Sequence, residues 1–192
     1  MEFFSQVNLV DLLAVVTLGW CIYGGIQQGV IVEFFKLLGI WGATLVSLHY
    51  YPSFGVLLHK MVGSPWGVSE LVAFSILWGL VVVTFKFVRD GWLLILKPRS
   101  NYPFLNKWVG AILGIGRAFL TIGLIFIFIF LGGNQFFSRQ ALKSFSAEFL
   151  IDISPHIYGS CFDGFVANLF PHETKNEDVF KLARLAAKYL PE

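Results

Sequence analysis

The sequence predicts an all-α integral membrane protein of about four transmembrane helices with an amphipathic helical C-terminal tail, and three observations carry that prediction. Charged residues make up only 14% of the 192 residues and hydrophobic ones 56%, against roughly 25% charged in a soluble domain. Mean hydropathy is +0.71, and a soluble core of this size has too little interior to hide so many Phe, Trp, Leu, Ile and Val side chains. The apolar residues also form runs long enough for a hydrocarbon layer of about 30 Å. Membrane lipid is therefore an expected partner. The net charge of +2 is too small and too confined to loops for a nucleic-acid footprint, so no nucleic-acid partner is expected.

The first run, Val7 to Ile26, is interrupted by Asn8 and Asp11. Met1 to Gln6 carry Glu2 and no Lys or Arg, unlike the basic start of a cleaved signal, so the first helix reads as retained. Gly24, Gly25 and Gly29 surround Gln27-Gln28 and admit a sharp reversal into a second helix, Val30 to Tyr51, ending near Pro52. A loop with His59, Lys60, Gly63, Pro65 and Gly67 leads to a third helix, Val68 to Val88, with Ser69 as N-cap and Glu70 in its first turn. From Lys86 to Lys107 the chain reads as a basic connector, with Arg89, Lys97 and Arg99 opposed by Asp90 and broken by Pro98 and Pro103. The fourth helix runs from Val109 to Leu131. Its Ile-Phe alternation after Leu124 suggests a strand, but a lone strand in lipid would leave backbone groups unpaired.

Residues 1–131 thus form a four-helix transmembrane domain, and residues 132–192 an extramembrane tail. Ala141, Phe145, Phe149 and Ile153 recur at four-residue steps within Gln140 to Ile153, the period of an amphipathic helix. A last helix, Asn176 to Tyr189, places Val179, Leu182, Ala186 and Tyr189 on one face. Lys and Arg near the spans favour the 86–107 connector, so that connector is expected in the cytoplasm and both termini on the periplasmic side.

Charges inside apolar spans each cost about 2.5 to 3.5 kcal/mol on insertion scales, so each calls for a partner or a wet cavity. Glu33 and Lys36 are three apart on the second helix and near enough to pair. Arg117, on the fourth helix, enters from the same side, and the three form a candidate intramembrane charge cluster with Glu33 accepting from Arg117. Two readings stay open: an architectural ion pair, or a proton or transport site. Asp11 lies close enough to the outer interface to be solvated. Gly25 and Gly29, like Gly110 and Gly114, are four apart, a spacing that lets helices approach within one subunit or between copies. Self-association or contact with other membrane proteins is therefore a second expected kind of partner.

Two blocks of residues resemble the signatures of the colicin V production protein family, CvpA. Asp11, then Gly29-Val-Ile-Val-Glu33, resembles its opening pattern of an Asp, a Gly in a short turn and a Glu four residues later. Asn106-Lys107-Trp-Val-Gly110-Ala-Ile-Leu-Gly114-Ile-Gly-Arg117-Ala118 resembles its second, Asp-Arg-x-x-Gly-x-x-x-Gly-x-x-Arg-Gly. Gln28 stands where the family often has Arg, Asn106-Lys107 replaces Asp-Arg, and Ala118 replaces the last Gly. The resemblance implies an inner-membrane protein linked to toxin production in bacteria. Some relatives join this domain to a trypsin-like protease, but this chain has no Gly-Asp-Ser-Gly segment.

No enzymatic chemistry is expected. His49, His59, His156 and His172 do not fall at metal-ligand spacing, and Cys21 and Cys161 have no CxxC or Cys/His company. Gly110 to Gly116 lacks the lysine and hydroxyl of a phosphate loop. No cofactor is implied. The competing classes are a non-enzymatic factor in toxin production or export and envelope function, and an oligomeric channel or transporter subunit using Glu33, Lys36 and Arg117.

Overall fold

Helix α1 runs over Leu9–Val62 in a computed structural model that describes residues 9–96, 103–132, 153–169, 172–177 and 179–181. As a straight rod its 54 residues would reach about 80 Å, far beyond a bilayer. Gly29 folds it: with φ 76° and ψ 178° it adopts a backbone open to glycine and costly for a residue with a Cβ. Helix α2 follows at Trp66–Leu96 and α3 at Pro103–Leu131. All three are long and apolar enough to cross a membrane. A shorter α4, Ile153–Cys161, passes through a π-helical turn, Phe162–Val166, into the brief α5, Ala167–Leu169. The described residues contain no strand, so the Ile-Phe stretch is helical.

Both limbs of α1 lie along α3. From Gly29, which abuts Asn106, the first limb returns past Gly110 at Gly25 and past Gly114 at Cys21. Val10, Ala14 and Cys21 then share a buried cluster with Ala118, Ile122 and Phe126. The second limb leaves the same point in the same direction, with Val30 at Asn106 and Leu37 at Gly116. Its Ile40, Leu48 and Tyr51 are buried with Leu120, Leu124, Ile127 and Leu131. The reversal is therefore complete, and the limbs run side by side. Helix α2 comes back along the second limb, pairing Gly55 with Glu70, Tyr51 with Phe74, Gly42 with Phe85 and Phe35 with Trp92. It scarcely touches α3.

Several boundaries differ from the sequence reading. Pro52 does not end its helix, which continues to Val62. A proline has no N–H and so orphans the carbonyl four residues back, here that of Leu48. Asn176 Nδ2 donates to that carbonyl at 2.6 Å, which removes the reason for the helix to stop. The loop around Gly63 shrinks to residues 63–65. Ser69 is no N-cap: it lies inside α2, its amide bonded to Pro65 O and its hydroxyl 2.7 Å from that of Ser64. The connector is shorter than its charges suggested, because α2 carries Lys86, Arg89 and Asp90 on to Leu96, and α3 already begins at Pro103. The Gln140 stretch lies outside the described residues, as does most of the Asn176 to Tyr189 helix, of which Glu177 and Val179 to Lys181 are helical.

Candidate functional site

The reversal at Gly29 sets the site, because it exposes the amino end of the second limb inside the bundle. Asn106, in the first turn of α3, accepts the Val30 amide on Oδ1 at 2.9 Å. It thereby caps a helix to which it does not belong, filling one of the amide donors that every helix start leaves open. Cβ atoms built on Gly25 and Gly110 would each collide with the other residue's carbonyl, and one on Gly29 would strike the Asn106 amide. These glycines are what lets α1 and α3 touch backbone to backbone.

One turn beyond the cap lies Glu33, fully buried. Arg117 Nη1 approaches Glu33 Oε1 to 2.9 Å and Lys36 Nζ approaches Oε2 to 3.3 Å, with side chains 11% and 21% exposed. The Lys36 contact is a hydrogen bond. The Arg117 contact is an ion pair whose N–H is not aimed at the oxygen, so Oε1 retains an acceptor with no donor among the described residues. The structure thus gathers Glu33, Lys36 and Arg117 into one cluster and builds it beside Gly29, Asn106, Gly110 and Gly114. Asp11 is not part of it: it lies half-buried in the first turn of α1, where the neighbouring Val10 and Ala14 pack with Ile122 and Phe126 at the far end of α3. Lys107 is exposed on the first turns of α3.

A cleft of about 390 Å³ adjoins the cluster. Thr17, Trp20 and Cys21 of the first limb form one wall and Trp78, Val82, Phe85, Lys86 and Arg89 of α2 the other; Lys36, Gly39, Arg117 and Thr121 lie between. Sequence reasoning missed Lys86 and Arg89 as cleft residues by placing them in a connector. Their four-residue step from Val82 and Phe85 was the available signal.

A second polar centre, also missed, lies at the other end of the second limb. Tyr158 is wholly buried and its hydroxyl accepts the Asn176 amide at 2.9 Å. That leaves its own proton for His49 Nδ1, 2.9 Å away. His49 Nε2 then bears the hydrogen directed at Glu173, at 3.2 Å. Burial pushes the Tyr158 phenol above the usual tyrosine range, opposed by the Asn176 amide and reinforced by Glu173. This cluster, with the bond from Asn176 to Leu48, ties Tyr158, Glu173 and Asn176 to the second limb. Among the described residues no three His, Cys, Asp or Glu side chains gather as a metal site.

The family model described as Colicin V production protein matches residues 10–155, a stretch that holds the reversal, the cap, the glycine contact and the charge cluster. The chain belongs to the colicin V production protein (CvpA) family. No curated protein matches it, and no solved structure does. Seen through this membership, Asn106 occupies the Asp position of the second family signature, and its observed task needs an acceptor oxygen and no charge. Asn106→Asp is accordingly expected to keep the cap. Asn106→Ala should cost about 1 kcal/mol, read as a lower midpoint in detergent-mediated unfolding; an Ala variant as stable as the parent would refute the cap's contribution.

Proposed function

We propose that this CvpA-family chain is a non-enzymatic accessory protein of the bacterial inner membrane, supporting colicin V production or export and envelope function through contacts with other membrane proteins. The observation that supports this reading most is that the one carboxylate of the cluster is held on both oxygens: Glu33 lies fully buried between Lys36 and Arg117, where an ion pair fixes helix register. The chain crosses the membrane four times, with the 86–107 connector cytoplasmic and both termini periplasmic, following the Lys and Arg bias. A second reading, an oligomeric channel or transporter subunit, draws support from the unfilled acceptor on Glu33 Oε1, since a buried carboxylate short of a donor is a place for a moving proton.

The test combines secretion with transport. In a toxin-producing strain lacking its own family member, the intact chain should restore toxin release, and a periplasm-dependent reporter fused at Glu192 should be active. Liposomes holding the purified protein should show no proton or ion flux above empty vesicles. Flux that disappears in Arg117→Ala would move the conclusion to the channel, and a Glu192 fusion active only in the cytoplasm would reverse the topology.

A further inference from the structure

The cleft between the first limb and α2 carries more cationic groups than its neighbours neutralise. Four basic side chains line it: Lys36, Lys86, Arg89 and Arg117. Two carboxylates answer them, Glu33 to Lys36 and Arg117, and Asp90 to Arg89 at 2.7 Å. Lys86 is exposed and has no ion-pair partner among the described residues. A surplus of two positive charges therefore faces a cavity whose other lining is mostly apolar, including Trp20, Phe35, Ile40, Trp78, Val82 and Phe85, with the hydroxyls of Thr17 and Thr121. The cleft is charged at the end nearer Gly29 and apolar beyond it, since Lys86 and Arg89 follow Trp78 and Val82 along α2 toward Leu96.

Shape agrees with charge. Helix α2 leans on the second limb, where Gly39 and Gly42 accept the Phe85 ring, and it scarcely meets α3. The cleft is thus closed below by the second limb and α3 and open sideways into the surrounding lipid, beside the 76% exposed Trp20. Water-soluble anions would meet an apolar doorway there. A molecule already dissolved in the bilayer, with an anionic head and an acyl chain, would match both ends at once.

We propose that this cleft binds one anionic phospholipid from the leaflet on the Gly29 side, its phosphate seated among Lys36, Lys86 and Arg89 and an acyl chain lying against Trp78, Val82 and Phe85. Basic pockets between membrane helices on the cytoplasmic side select such head groups by charge, and long Lys and Arg side chains reach the interface while their stems stay in the apolar layer. The site is independent of the role in toxin production: lipid binding stands or falls without reference to secretion.

The experiment is native mass spectrometry of the full chain in mild detergent, titrated with phosphatidylglycerol or with phosphatidylcholine of the same chain length. One phosphatidylglycerol per chain should be retained at least tenfold more tightly than phosphatidylcholine. Lys86→Gln with Arg89→Gln should lower that affinity about tenfold or more, while Lys60→Gln, at the opposite end of α1, should leave it unchanged. A monodisperse elution profile for the double variant separates lost binding from lost folding; if that variant does not fold, Lys86→Gln alone, at an exposed position, should still lower affinity several-fold. Equal retention of both lipids, or undiminished phosphatidylglycerol binding in the folded variants, would overturn the proposal. So would displacement of the lipid by millimolar inorganic phosphate, which would make the site one for a free anion.

Discussion

Glu33→Ala is expected to lower the unfolding free energy by about 3 to 5 kcal/mol, the loss seen when one partner of a buried ion pair is removed. Arg117→Ala should cost less, about 2 to 3 kcal/mol, because Lys36 still lies 3.3 Å from the remaining carboxylate. The asymmetry follows from the stoichiometry: removing the acid leaves two cations facing each other, while removing the arginine leaves a neutral pair. The double variant Glu33→Ala/Arg117→Ala should be clearly more stable than the sum of the single losses implies. Equilibrium unfolding in mixed micelles, followed by circular dichroism, measures all three. Additive losses would show that the 2.9 Å contact contributes no coupling, and the architectural reading of the cluster would fail with it.

The distribution of sequence-legible features has a physical cause. Lipid imposes a uniform demand along a span, so the runs around Val30 and Val109 were visible in composition alone, and Gly29 marked the reversal because few other residues adopt its backbone. Helix ends were harder. Pro52 looked like a stop because its effect on Leu48 is local, whereas the remedy comes from Asn176, 128 residues further along. Lys86 and Arg89 looked like loop residues because charge in an apolar run suggests water, yet on α2 they line a cleft where their stems remain among apolar groups.

The same division runs through the site. Glu33 and Lys36 were legible together because helical spacing alone makes them neighbours. Arg117 required the second family block to be set opposite the first, and Gly25 against Gly110 is the contact that fixes that register. The cap from Asn106 to Val30 and the bond from Tyr158 to His49 join residues 76 and 109 positions apart. Nothing in either local sequence encodes the distant partner, so these roles emerge only from the fold.

The register contact leads to the other large effect. Gly110→Val is expected to abolish the native packing of α1 on α3, because even a Cβ at residue 110 would overlap the Gly25 carbonyl and two backbones cannot yield as a flexible side chain does. Separating the helices would also pull Arg117 from Glu33 and Asn106 from Val30, so three interactions fail together. The loss should exceed about 3 kcal/mol and appear as aggregated or broadly eluting protein in mild detergent. Gly91→Ala is the matching control: nothing lies within 4 Å of its added Cβ, and alanine's better helix propensity should leave stability unchanged or raised by up to about 1 kcal/mol. Gly29→Ala should fail like Gly110→Val by another route, through its φ of 76° and the collision with Asn106. If Gly110→Val instead elutes as a single species with the parent's unfolding midpoint, α1 and α3 do not meet through these glycines, and the placement of the charge cluster that depends on their meeting is wrong.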